Sequence, residues 1–111
     1  LHADVRRTIR LLLLSRQCSR ADVAKRLGIH ARTLGRRLQE SGTTFQALLD
    51  DMRSQMAKQL LLDTRLPIAR IAAAVGYEDP TIFSRAFARW TGRTPSEFRA
   101  KVVGRSSARD L

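Results

Sequence analysis

Arginine is the residue type whose chemistry stands out in this sequence. Of the 21 Lys and Arg residues, 18 are arginine, whose planar guanidinium can form two parallel hydrogen bonds with a phosphate or a guanine edge. Arg32, Arg36 and Arg85 fall on the outward faces of predicted helices. The sequence has no phosphate-binding glycine loop, nucleophile elbow or paired-carboxylate motif. It therefore predicts a binding protein and not an enzyme.

The net charge is +11 on 111 residues. A chain this basic attracts polyanions, nucleic acid first and an anionic membrane surface second. A hydrophobic content of 43% argues against disorder, and no apolar run approaches the ~20 residues of a membrane span. Two other interpretations stay open at this point: the charge only keeps the domain in solution, or the arginines reflect genomic base composition.

The residues that usually hold metals or form disulfides are few. Cys18 is the single cysteine, which excludes an internal disulfide and a cysteine zinc site. His2 and His30 are isolated in the sequence, so neither a metal nor a cofactor is predicted. The chain begins at Leu1, not at Met, and shows no signal peptide pattern. We therefore expect a fragment of a longer cytoplasmic protein.

Apolar residues recur at three- and four-residue intervals along the chain, which predicts an all-α fold of seven helices without strands. Capping signals place the starts of four of these helices. The signals are Ser19 with Asp22, Pro67 at the first helical position, Asp79 with Pro80, and Thr94 with Glu97. We expect the first helix to end near Gln17, the seventh to reach Val103 with Phe98 and Val102 buried, and residues 104–111 to form a disordered tail.

An internal repeat relates the two halves of the chain. Ala24-x-x-x-Gly28 recurs 48 residues later as Ala72-x-x-x-Gly76, and Leu34 then corresponds to Phe83. A small residue followed by a turn glycine allows two helices to cross closely, as in a helix-turn-helix. Two copies in register favour a DNA-reading function. The alternative is a duplicated hairpin that only packs, which would not explain outward faces rich in Arg, Ser and Thr.

Residues 42–45, 60–62, 68–77 and 83–99 resemble the AraC/XylS transcription regulators. The resemblance extends over about residues 5–102. It implies two homeodomain-like helix-turn-helix subdomains joined by a long central helix. In that family, an N-terminal effector-binding or dimerisation domain usually precedes this part. We therefore predict a first subdomain at 1–43, a linker helix at 44–63 and a second subdomain at 64–103.

The third and sixth helices are the predicted recognition helices. Gly35 lacks a side chain that could donate, so it departs from the usual base-reading pattern. For Arg85, the alternative roles are a phosphate contact or an ion pair with Glu78 or Asp79. The predicted base-reading residues are Arg32, Gly35, Arg36, Pro80, Thr81, Ser84 and Arg85. The predicted contacts to the DNA backbone are Thr33, Arg37, Arg53, Arg89, Arg93 and Thr94.

These observations predict sequence-specific binding to double-stranded DNA in transcription regulation. Two recognition helices would enter adjacent major grooves about one turn, or ~34 Å, apart. The expected partners are DNA, RNA polymerase and a small-molecule effector bound only by a domain outside this chain, with no membrane partner. The expected location is the cytoplasm, at the nucleoid. The alternative function is a basic helical module that docks on acidic proteins such as RNA polymerase.

Overall fold

The computed structural model describes residues 1–14 and 18–101, where it has seven helices and no strand. The all-α prediction is therefore confirmed for that part of the chain. The helices are α1 (His2–Leu14), α2 (Arg20–Arg26), α3 (Ala31–Glu40), α4 (Phe45–Asp63), α5 (Ile68–Ala74), α6 (Pro80–Thr91) and α7 (95–101). The predicted end of the first helix near Gln17, the burial of Val102, the extension to Val103 and the tail at 104–111 lie outside the described residues.

The chain divides into two compact units, Leu1–Arg53 and Ser54–Leu111. The division falls within α4, so this helix contributes residues to both units. We call them the first and the second unit. The finer assignment of 1–43, 44–63 and 64–103 to two subdomains and a linker stays a prediction.

The turns of the two helix-turn-helix motifs have the same backbone hydrogen bonds. After α2, the amide of Ile29 donates to the carbonyl oxygen of Ala24 over 3.0 Å; after α5, the amide of Tyr77 donates to that of Ala72 over 2.8 Å. Each is the six-residue bond of a Schellman motif, which needs a left-handed residue just before the donor. Gly28 (φ 74°) and Gly76 (φ 96°) occupy those positions.

The capping signals have the predicted structure at three helix starts. The Ser19 hydroxyl accepts from the Asp22 amide over 3.0 Å, and the Asp79 carboxylate accepts from the Thr81 amide over 2.8 Å. Thr94 and Glu97 form the third cap, with the Glu97 amide donating to the Thr94 hydroxyl over 3.2 Å. These side chains satisfy backbone donors that a helix start leaves without partners.

The prediction for Pro67 is wrong by one residue. Pro67 is the N-cap of α5 and not its first helical residue, because its ψ of 150° is extended. Its carbonyl oxygen accepts from the amides of Arg70 and Ile71 over 2.9 and 3.1 Å. Pro67 thus begins the helix because its carbonyl oxygen accepts the first hydrogen bonds of α5. This role does not need an N–H, which proline lacks.

The core of the first unit positions α3. Leu34 and Leu38, on one side of α3, are fully buried. Side chains at four-residue spacing share a helix face, so the opposite side of α3, with Arg32 and Arg36, lies in solvent. An ion pair of 2.7 Å between Arg6 and Asp51 joins α1 to α4 within this unit.

The core of the second unit positions α6. Phe83 and Phe87 are fully buried on its inner side, with ring centroids 5.9 Å apart. Phe98 of α7 is half-buried, not fully buried, and packs edge-on against Phe87 at 5.6 Å. Tyr77 and Trp90 extend this aromatic cluster. Because the aromatic residues occupy the inner side, Thr81 and Arg85 lie on the outer side of α6, exposed to solvent.

Candidate nucleic-acid interface

The three base-reading residues predicted on α3 line one groove. This groove of about 810 Å³ lies in the first unit, between the start of α2, the outward side of α3 and the start of α4. We call it the α3 groove. Its lining residues are Cys18, Ser19, Arg20, Arg32, Gly35, Arg36, Gln39, Thr44, Phe45, Gln46 and Leu49. The structure thus brings Arg32, Gly35 and Arg36 together; Thr33 is half-buried and Arg37 exposed on neighbouring sides of α3.

The charge of the α3 groove is positive. Arg20, Arg32 and Arg36 are its charged lining residues, and no Asp or Glu is among the residues that line it. Glu40 approaches from one turn further along α3 and pairs with Arg36, with 3.8 Å from Nε to Oε1. Both side chains are about two-thirds exposed (67% and 68%), so solvent screens this pair and leaves the Arg36 guanidinium accessible to a stronger anionic partner.

Arg20 covers the position at which α3 has no side chain. A Cβ atom built on Gly35 would lie 3.2 Å from Nη1 of Arg20 and 3.9 Å from its Cζ. The guanidinium therefore occupies the space that a side chain at position 35 would enter. The sequence does not predict Arg20 as a site residue, because the approach of Arg20 to α3 depends on how two helices cross.

The predicted residues of α6 form a second exposed surface, in the second unit. Pro80, Thr81 and Arg85 are exposed, whereas Ser84 is half-buried. In the described part of the chain, neither Glu78 nor Asp79 forms an ion pair with Arg85, and the Asp79 carboxylate instead caps α6. The structure thus offers no support for an ion pair as the role of Arg85.

Ile82 is an exposed apolar residue on α6 that sequence analysis missed. The residue is 54% exposed, next to Thr81. It lies outside the inner side of the helix, which Phe83 and Phe87 define. In the sequence, Ile82 does not share the four-residue spacing of Phe83 and Phe87, and this spacing could have identified it as an exposed residue.

The residues predicted to contact the DNA backbone differ in accessibility. Arg89 is exposed on α6, and Arg53 and Arg93 are half-buried. The Thr94 hydroxyl donates to Glu97 Oε1 over 2.8 Å and accepts from the Glu97 amide, so the helix cap already uses it. Thr94 is therefore the least available of these residues for a phosphate.

Cys18 borders the α3 groove in a half-buried position. Burial raises the pKa of its thiol, and the charge of Asp22 raises that pKa further, while the nearby charge of Arg53 lowers it in part. Because the net shift is upward, the thiol stays protonated near neutral pH, unlike a reactive cysteine.

Two further findings concern metals and membranes. Across residues 1–14 and 18–101, no three His, Cys, Asp or Glu side chains are grouped so that they could hold a metal ion. None of the helices described is both long and apolar enough to cross a membrane.

The chain is similar to several known regulators. A family model described as a helix-turn-helix domain matches residues 23–101. The ornithine utilization regulator of Pseudomonas aeruginosa is 43% identical over 94 residues, which make up 82% of this chain and 28% of that protein. The chain spans about a quarter of the length of the first curated relatives it matches.

Two solved structures have the same fold. The C-terminal domain of AraT, a response regulator from Geobacillus stearothermophilus, is 34% identical with a TM-score of 0.80, over 90% of this chain and 84% of that one. A transcriptional regulator from Chromobacterium violaceum, described as containing an AraC-type DNA-binding domain, is 28% identical with a TM-score of 0.74. That match extends over 89% of this chain and 91% of the other.

Proposed function

Because the chain belongs to the AraC-type helix-turn-helix family of transcription regulators, we propose that it binds specific sequences in double-stranded DNA to control transcription. The observation that carries this proposal is the α3 groove, where Arg32 and Arg36 of α3 and Arg20 of α2 come together and no Asp or Glu is among the lining residues. A helix with such a face suits the major groove, whose guanine edges present the acceptors O6 and N7.

In the first unit, Arg36 is the proposed principal base reader. It lies on the outward side of α3, two-thirds exposed, and its weak pair with Glu40 is easily replaced. A bidentate contact to guanine discriminates against other bases by about 1–3 kcal/mol. Arg32, one turn before Arg36, donates to a neighbouring base edge.

In the second unit, α6 is the proposed second recognition helix. Its exposed side carries the donors Thr81 and Arg85, while Ser84 is half-buried beside them. Pro80 and Ile82 have no side-chain donor, and their exposed apolar surfaces suit contact with a thymine methyl group. Each helix-turn-helix then reads its own half of a bipartite site.

Contacts to phosphate position these helices without reading sequence. The exposed side chains of Arg37 and Arg89 support this role best, and the half-buried Arg53 and Arg93 supply further positive charge. Thr33 and Thr94 are the proposed hydroxyl contacts, with Thr94 limited by its cap. Neutralisation of six to ten phosphates by cationic side chains would make affinity fall by about 10³–10⁵ between 50 and 200 mM salt.

The wider role of the protein is also a proposal. We infer that it works without catalysis in the cytoplasm, on nucleoid DNA, and that it contacts RNA polymerase when it regulates a promoter. A small-molecule effector would be bound by a domain outside this chain. The chain spans about a quarter of the length of its first curated relatives, which leaves room for such a domain in those proteins.

Selection from randomised duplex DNA tests the proposed function. Repeated binding and amplification with the purified chain should enrich a bipartite motif. Titration of the enriched duplex at 50 and 200 mM salt should then show the steep loss of affinity expected for phosphate contacts. No enrichment, combined with a flat salt response on the randomised duplex, would overturn DNA binding and favour docking on acidic proteins.

A further inference from the structure

We propose that Arg20 of α2 reads a base edge in place of the side chain that Gly35 of α3 lacks. The inference rests on the proposed function and adds a specificity-determining residue from outside the recognition helix. Its basis is the position of the Arg20 guanidinium, whose Nη1 lies 3.2 Å from where a Cβ of residue 35 would be.

Gly35 has no conformational reason to be glycine. It lies within α3, and its φ is not among the left-handed values that other glycines of the chain adopt. A glycine inside a helix is destabilising relative to alanine. The contact that accounts for it is the close approach of Arg20, because a larger residue at position 35 would force the guanidinium to move.

The Arg20 guanidinium is available for a ligand. Within residues 1–14 and 18–101, no ion pair or hydrogen bond of this group is observed. The neighbouring carboxylate of Asp22 accepts a hydrogen bond of 2.7 Å from the Ser19 hydroxyl. The guanidinium thus presents its N–H donors to the α3 groove. The charged residues that line this groove are all arginines, which donate hydrogen bonds and cannot accept them.

The place of this guanidinium favours a base edge over a phosphate. Position 35 lies on the same outward side of α3 as Arg32 and Arg36, and all four residues line one groove. When α3 enters the major groove, the donors of Arg20 enter with it. Arg20 and Arg36 would then read neighbouring positions, from two different helices.

The test compares the motifs selected by three variants with that of the wild-type chain. Arg20→Ala removes the donor. Gly35→Ala leaves the donor in the chain but adds a Cβ 3.2 Å from Nη1, so the guanidinium must shift. Arg20→Ala should lose preference at one or two base pairs, by about 5- to 150-fold, and Gly35→Ala should lose part of the preference at the same base pairs. Both should keep the rest of the motif. The double variant should be no worse than Arg20→Ala alone, because both changes act on the same contact.

Arg26→Ala is the matched control, since Arg26 is also an exposed arginine of α2 and its loss removes the same charge. It should leave the motif unchanged. Thermal unfolding should show that the Gly35→Ala variant is folded and at least as stable as wild type, because alanine is the better helix former.

Three results would overturn the assignment. A uniform loss of affinity for every sequence with Arg20→Ala would make Arg20 a phosphate contact. An unchanged motif with Gly35→Ala would mean that the guanidinium is not held over that position. Additive effects in the double variant would mean that Arg20 and Gly35 act on different contacts. A wild-type chain that selects no motif would instead overturn the proposed function itself, and with it this assignment.

Discussion

Arg99 of α7 holds Leu66, in the segment that joins α4 to α5, through a hydrogen bond of 2.7 Å from Nη1 to the Leu66 carbonyl oxygen. The same guanidinium donates to the carbonyl oxygens of Leu61 and Thr64, over 3.2 and 3.3 Å. The last carbonyls of a helix have no partner within it, and Leu61 belongs to the last turn of α4. One side chain therefore satisfies the end of α4 and fixes the chain that leads into the second helix-turn-helix.

Replacing Arg99 should destabilise the second unit. Hydrogen bonds from a charged donor contribute about 1.5–3 kcal/mol, so we expect Arg99→Ala to lower the free energy of unfolding by about 2 kcal/mol. Arg99→Lys should recover part of this, because an ammonium cannot reach three carbonyls from one position. Urea denaturation measures the change. Arg65→Ala, at the exposed position just before Leu66, is the control, and equal midpoints for the two alanine variants would contradict the role of Arg99.

Arg36→Ala should weaken binding to the selected motif more than binding to random duplex DNA. The expected difference is about 1–3 kcal/mol, the worth of a bidentate contact to guanine. Arg37→Ala, the neighbouring exposed residue proposed to contact phosphate, should weaken binding to both duplexes alike. Equilibrium titration of the two duplexes at one salt concentration gives both values. Equal losses on the two duplexes for Arg36→Ala would assign Arg36 to the backbone.

Neutralising Glu40 should tighten DNA binding. Its carboxylate lies 3.8 Å from the Arg36 guanidinium on an exposed helix surface, where such a pair contributes about 0.3–0.5 kcal/mol. Glu40→Gln frees Arg36 from this pair and removes a charge that repels phosphate, so affinity should rise about twofold or more. The gain should shrink in an Arg36→Ala background. An affinity below that of the wild type would mean that the pair orients Arg36 for binding.

Cys18 should react slowly with alkylating reagents in the folded chain. Burial raises the pKa of its thiol, and only the thiolate reacts, so iodoacetamide labelling at pH 8 should be slower than in denaturant. Arg53→Met keeps much of the side-chain volume but removes the charge that lowers this pKa, so the midpoint of the labelling-rate profile should move to higher pH. An unchanged midpoint would mean that Arg53 does not act on the thiol.

The same shift has a defined effect on stability. Because the pKa of Cys18 is higher in the folded than in the unfolded chain, the folded state binds more protons between the two values. The resulting contribution to stability is complete below the unfolded pKa and is lost as pH rises through the folded pKa. Cys18→Ala should remove this alkaline component from the pH dependence of the free energy of unfolding.

Local features were predictable from the sequence because they depend on residues close together in the chain. Ser19 and Asp22, or Asp79 and the Thr81 amide, are within three positions of each other, and their caps formed as predicted. Pro67 was misplaced by one residue because proline fixes φ but not ψ. Proline can therefore be either the N-cap or the first helical residue, and its neighbours in the chain determine which.

The contacts that are not predictable from the sequence join residues that are far apart in the chain or belong to different helices. Arg99 bonds to carbonyls more than 30 positions earlier, and Arg20 covers a glycine of another helix. In neither contact does the partner contribute a side chain. Arg99 bonds to backbone carbonyls, and Arg20 lies over a glycine. Patterns of side-chain type cannot register such partners, so the predicted site contained Gly35 as a gap without the arginine that fills it.

The close approach of Arg20 to Gly35 also bears on how this domain would diverge in evolution. Any side chain gained at position 35 competes with the guanidinium for one space, so the fitness effect of a substitution at either position depends on the residue at the other. We therefore expect positions 20 and 35 to covary among descendants of this chain. A lineage could then acquire a new DNA target through a codon change in α2, with the sequence of α3 unaltered.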